Sequence, residues 1–203
     1  MKQKKKMSDI LRKIKEAENY KDWGSISYII DNATENNYKL LIPCISNFIN
    51  HKNWLIRASA VEFIGFFGIE KYLYLVRNCL KDGHPLVRDY ALLAYYDLLG
   101  DKAIPLIEKF CSHKNVMNRV TALLLHYINN NDDYSFQKLS RILKRKRCNP
   151  LNISGFLRSF DYYYNNVEVK SRIVKLLKDI IPNIPKSHWI ATDVRRLLKK
   201  LKH

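Results

Sequence analysis

Three arginines set one period apart constrain this chain more than any other feature of its sequence: Arg57, Arg88 and Arg119 follow one another at 31 residues, and Ala60, Ala91 and Ala122 keep the same step. The interval from His51 to Tyr127 therefore says nearly the same thing three times. The pattern extends further back. Ile42-Pro43-Cys44-Ile45-Ser46-Asn47-Phe48 returns 62 residues later, two periods on, as Ile104-Pro105-Leu106-Ile107-Glu108-Lys109-Phe110, and both copies then reach His-Lys-Asn. Seven of the twelve positions in the windows 42–53 and 104–115 are identical. Chance pairing of similar compositions would very rarely do this, so the chain is a repeat array.

A period near 31 without glycine-rich strand punctuation belongs to solenoids, in which each supersecondary unit stacks on its neighbours. The unit here reads as two helices. Leu86, Val87, Tyr90, Ala91, Ala94 and Leu98 recur at spacings that keep one helix face apolar. Gly100 follows, a residue able to take a left-handed C-terminal cap without strain. Ile104, Leu106, Ile107, Phe110 and Cys111 build the second helix, with Pro105 in its first turn, where the missing N–H costs nothing.

The stretch Asp82-Gly83-His84-Pro85-Leu86-Val87-Arg88-Asp89-Tyr90-Ala91, closing at Leu99-Gly100, resembles the HEAT repeat of the short bacterial type, with its Asp, Pro, Val-Arg pair, Ala three residues on and Leu-Gly end. The likeness is strongest over residues 52–112, fair over 21–51 and 113–146, and weak beyond. It implies an all-α fold: a right-handed α-solenoid of about five two-helix HEAT-like repeats with terminal capping helices. It also implies that Asp82 and Arg88 are scaffold residues bonding across repeats. His51 and His113 stand where Asp82 does, so the Asp–Arg ladder is expected to be incomplete there.

The predicted organisation is a single domain over 1–203. A disordered basic tail (1–7) leads into an amphipathic helix at 8–19. Repeats follow at about 21–50, 52–81, 83–112, 114–146 and a degenerate 149–181, and a capping helix at 187–201 closes the chain. No run reaches the roughly 18 apolar residues that a membrane helix needs, and the basic start leads into an amphipathic segment, so a cytoplasmic protein is expected. Cys44, Cys79, Cys111 and Cys148 form no C-x-x-C pair and read as reduced core thiols. The histidines make no metal-binding spacing, and neither a metal nor a cofactor is predicted.

Charge is the compositional feature that bears on function. Lys plus Arg outnumber Asp plus Glu by 36 to 19, a net charge of +17, which biases association toward phosphates or acidic protein surfaces. On the predicted second helices, Arg77, Asn78, Lys81, Lys109, Arg141, Lys144, Arg145, Arg172, Lys175 and Lys178 fall off the apolar stripe. Second helices line the concave surface of HEAT-type solenoids, so these residues form the predicted partner site. The periodic Arg57, Arg88 and Arg119 are assigned to the scaffold, because a residue recurring in every unit satisfies the same turn in each. Trp23, Trp54 and Trp189, with Tyr95, Tyr96, Tyr127 and the run 162–164, read chiefly as core or groove filler.

With no phosphate-cradling glycine loop and no nucleophile elbow, the leading expectation is a non-enzymatic protein-binding module. It would be a monomer by itself, holding an acidic-surfaced partner on a basic concave face. Small bacterial HEAT-like proteins of this size serve as toxin-neutralising immunity proteins or regulatory adaptors, and the resemblance points that way. The alternative is nucleic-acid binding, with or without activity like that of the alkylpurine DNA glycosylases. Those enzymes are similar in fold class and charge, but no catalytic Asp or Trp can be matched here.

Overall fold

The structure is a computed structural model that describes residues 2–145, 148–149, 152–153, 155–157, 160, 167–185 and 188–201. Among the described residues every regular element is helical and there is no strand. The chain divides into two compact units, Met1–Gly100 and Asp101–His203.

The first unit contains α1 (Lys2–Asn19), α2 (Trp23–Asp31), the short α3 (Tyr38–Leu41) and α4 (Ile45–Ile49), α5 (Trp54–Phe66), α6 (Leu73–Cys79) and α7 (Pro85–Leu99). Helix α1 begins at Lys2 and so takes in most of the stretch expected as a tail. Lysine is a good helix former and neither Gly nor Pro interrupts this stretch, so propensity outweighs the like-charge repulsion. Helices α2, α5 and α7 pack in series, α1 covers α2, and α4 and α6 lie against the longer helices. Helices α5 and α7 approach closely at two small residues: a Cβ on Gly65 would fall 2.6 Å from the Ala94 Cα. Helix α7 buries more than the predicted stripe, since Leu92, Leu93 and Asp89 are enclosed as well. With α5 and α6 both packed against it, it has two inward faces, which a one-face pattern does not anticipate.

The turn between helix pairs is built the same way each time. At the first copy His51 Nδ1 accepts the Asn53 N–H (3.0 Å), and Arg57 returns a bond to the His51 carbonyl (2.8 Å). At the second, Asp82 Oδ1 accepts the His84 N–H (2.7 Å) and Arg88 bonds the Asp82 carbonyl. Histidine thus replaces aspartate by offering a ring nitrogen where the carboxylate offers an oxygen. Arg57 also reaches forward one repeat and grips Asp82 with both arms of its fork, Nε to Oδ2 at 2.7 Å and Nη2 to Oδ1 at 2.9 Å. That pairing gives the rigid, charge-assisted geometry expected of a largely buried Arg–carboxylate contact.

The second unit contains α8 (Ile104–Phe110), α9 (Val116–Asn130), α10 (Asp133–Leu143), α11 (Val167–Ile180) and α12 (Trp189–Lys200). Its opening turn repeats the network, with His113 Nδ1 accepting the Asn115 N–H (3.1 Å) and Arg119 bonding the His113 carbonyl (2.8 Å). Helix α9 is enclosed along most of its length, including Met117, Val120 and Ala122 to Leu125, and it packs on both α8 and α10. Of these, Met117, Val120 and Leu123 to Leu125 each contribute about 1.5–3 kcal/mol relative to exposure. Helix α9 ends on Asn131 in the left-handed helical region (φ 49°, ψ 35°), whereas α7 ends on Gly100 at a positive φ of 55° with ψ −132°. Asparagine tolerates the left-handed helical conformation better than other side chains do. Helix α11 buries Val169, Ile173, Leu176, Leu177 and Ile180, and α12 buries Ile190, Ala191, Val194 and Leu197. Lys146, Arg147 and the tyrosine run at 162–164 lie outside the described residues.

Candidate functional site

Helix α10 starts from a strong cap. Asp132 accepts the Ser135 N–H (2.8 Å), and burial pushes the Asp132 carboxyl up while that bond and the His126 ring outweigh it and hold it below the usual carboxylate range. From this fixed start Leu139, Ile142 and Leu143 turn inward. Lys138, Arg141 and Arg145, spaced three and four apart, share another side. Opposite them, Cys111 and Ser112 close α8, and Arg119 and Leu123 come from α9. These residues line a cavity of about 310 Å³.

Four of its eight lining residues are cationic and none is acidic. Among the described residues, no carboxylate lies within ion-pair distance of Arg119, Lys138, Arg141 or Arg145. The Arg119 guanidinium is anchored through its Nη1 bond to the His113 carbonyl, which presents the group without spending it on an acid. The floor is apolar, formed by Leu123 and Ile142, both buried. Cys111 is also buried, and its thiol is pushed up to about 12 by burial, with the Asp132 charge adding to this and Lys138 opposing it. A thiol so reluctant to ionise is a poor nucleophile and behaves as a small apolar side chain.

Of the ten site residues expected from sequence, Arg141 and Arg145 meet in this cavity. Lys144 and Arg172 are engaged elsewhere in the second unit. Lys144 Nζ lies 2.7 Å from Asp179 Oδ2, and its ammonium holds that carboxyl below the usual range. Arg172 lies 2.7 Å from Asp133 Oδ1 and its guanidinium carbon sits 4.2 Å from the centroid of the Phe136 ring, a packed position rather than an open one. Lys109, Lys175 and Lys178 are exposed on α8 and α11, and in the first unit Arg77, Asn78 and Lys81 are exposed at and just beyond the end of α6. Arg119 and Lys138 are the residues sequence reasoning missed. The 138-141-145 spacing was there to find Lys138. Arg119 was set aside because it recurs with the scaffold arginines, and it serves turn and cavity at once.

A second cluster, His126, Asp132 and Ser135, has the residue types of a hydrolase triad but not its wiring. Asp132 Oδ2 and Ser135 Oγ both lie 3.0 Å from the same ring nitrogen, Nδ1, while Nε2 meets the Asn130 side chain at 3.0 Å. A relay needs the acid on one nitrogen and the nucleophile on the other. Ser135 is also buried. The cluster is a helix cap.

No described helix is long and apolar enough to cross a membrane. Comparison with protein-family models, with curated proteins and with solved structures finds no match to this chain.

Proposed function

We propose that this chain is a non-enzymatic binding module that holds an acidic-surfaced protein partner, and that the cavity between α8, α9 and α10 is its anchor point. The observation that carries this is the convergence of Arg119, Lys138, Arg141 and Arg145 on one recess with an apolar floor and no acid in its lining. A recess of that size accommodates one or two side chains. An Asp or Glu side chain entering it would set its methylene on Leu123 and Ile142 and its carboxylate among guanidinium groups suited to bidentate bonds. Tracking a nucleic-acid backbone calls instead for a continuous run of available cations. Within the second unit two members of such a run, Lys144 and Arg172, are paired with Asp179 and Asp133 in partly exposed contacts, which weakens the run without removing those charges.

A HEAT-like solenoid is the proposed architecture, supported within the first unit by the serial packing of α2, α5 and α7 and by the Arg57 to Asp82 fork reaching from one repeat to the next. A toxin-neutralising or adaptor role is a special case of this function, and the identity of the bound chain would decide it. The test is affinity purification from the native cell at about 150 mM salt, where exposed charges are screened beyond about 8 Å, with wild type beside Arg141→Glu/Arg145→Glu. A single stoichiometric polypeptide, lost in the double reversal, is the expected outcome. Nucleic acid that survives this salt and is lost in the same variant would instead select the backbone-binding alternative.

A further inference from the structure

The first unit holds a recess of opposite character. Ile30, Asp31 and Ala33 from α2 and its end, and Ser59, Glu62, Phe63, Phe66 and Phe67 from α5 and its end, line a cavity of about 230 Å³. Two of these residues are carboxylates and none is cationic, on a chain where bases outnumber acids by 36 to 19. The wall is aromatic: Phe63 and Phe67 lie 4.8 Å apart, and Phe66 meets Phe67 edge-on at 4.9 Å. Tyr38 stacks flat on Phe67 at 4.4 Å and 4°, bracing it from behind. Phe66 is 60% exposed, so much of its ring is open to solvent at the edge of the recess.

The carboxylate at the mouth is held in place. Ser27 Oγ donates to Asp31 Oδ2 (3.0 Å) and is itself 2.8 Å from Ser59 Oγ, a chain whose two serines are buried. Asp31 is thereby tied to both helices that form the recess, and Asn could keep the same hydrogen bond while removing the charge. An aromatic wall and a carboxylate together attract one class of group: Phe63 is buried and one face of Phe67 is covered by Tyr38, so the exposed Phe66 ring is the one a cation and its alkyl part would meet, and the acid supplies the counter-charge.

We infer that this recess is a binding site for an alkylammonium group, either a small amine or a lysine side chain of a bound protein. The site is independent of the cation-lined cavity in the second unit, so failure of one leaves the other standing.

The experiment is a titration of the isotope-labelled full chain, followed by amide chemical shifts at 30–33 and 62–67, with n-butylammonium and, in parallel, n-butanol as its uncharged counterpart. Saturable binding of the ammonium, with butanol at least about fivefold weaker, is expected. Phe66→Ala should weaken it about two- to fivefold, the ratio that a partly exposed cation–π contact corresponds to, and Asp31→Asn/Glu62→Gln should reduce it further. Phe66 is largely exposed and both polar changes are isosteric, so these variants should fold, which unaltered shifts away from the recess would verify. A blocked Gly-Lys-Gly peptide separates the sources: binding at least as tight as butylammonium selects a protein lysine, and exclusion of the peptide selects a small amine. Equal shifts from ammonium and alcohol, indifference to all the variants, or no saturation would overturn the assignment.

Discussion

At the scale of single residues, the repeated turn explains why three positions 31 apart can be Arg while the residue six before each is His, Asp, His. Each side chain at that earlier position needs one acceptor for the N–H two residues on, and a neutral imidazole serves as well as a carboxylate. Only Asp82 adds the charge that Arg57 grips. Arg57→Ala strips that charge of its partner and frees two turn carbonyls, so it should cost about 1–3 kcal/mol in urea unfolding. Arg57→Lys should recover only part, because an ammonium cannot reproduce the fork.

The same turn is sensitive to acid. His84 stacks on Trp54 at 4.1 Å, and burial first, then the nearby Arg57 and Arg88 charges, hold its pKa below the usual imidazole value despite the opposing pull of Asp82. A depressed folded pKa means that the native state prefers the neutral ring. Its contribution is present above the unfolded value near pH 6.5 and is lost as pH falls through the lower folded value. For Asp82, burial pushes up, but the Arg57 fork and the His84 N–H outweigh it, so its share is present above about pH 3.9 and fades below. Stability measured across pH should therefore decline in two stages. His84→Asn, which places at residue 84 the type found at the equivalent caps Asn53 and Asn115, should shrink the upper stage; an unchanged profile would refute this account.

At the scale of elements, close approach decides the first unit. Helices α5 and α7 come together at Gly65, where an added methyl would meet Ala94 Cα at 2.6 Å and Cβ at 2.7 Å. Backbone cannot step aside as a flexible side chain can. Gly65→Ala should raise helix propensity and yet destabilise by about 1–3 kcal/mol, the overpacking penalty prevailing; a rise in Tm would show that the helices can part. The 3.6-residue pattern located these helices well, as the apolar runs in α9, α11 and α12 attest. It did not foresee the enclosure of Asp89, Leu92 and Leu93 in α7, because burial on a second face depends on which neighbours arrive.

At the scale of the whole molecule, a net charge of +17 says that a partner should be acidic but does not say which cations are available to it. Partly exposed ion pairs engage Lys144 and Arg172, and folding assembles Arg119 from α9 with Lys138, Arg141 and Arg145 from α10 and its end. The Arg141→Glu/Arg145→Glu variant should thus lose partner binding by about tenfold or more, since it reverses two of the four cations that line the cavity, while Lys175→Glu/Lys178→Glu on α11, equally exposed but outside the cavity, should lose less than about threefold, as rim charges do. Both can be read from dissociation rates of the purified complex, and equal losses would mean that overall charge, not the cavity, drives binding.

What the chain's order of residues determined by itself is local and periodic: helices, their 31-residue recurrence, the positive-φ end at Gly100, the turn arginines and the sign of the surface. Each of these depends on neighbours within a turn or on a count that needs no coordinates. The Arg57 to Asp82 fork, the pairing of some cations and not others with carboxylates, and the two recesses of opposite charge were decided only in three dimensions. They arise where side chains from separate helices converge, and whether two such groups meet is set by how backbones pack, which periodicity along one helix does not encode.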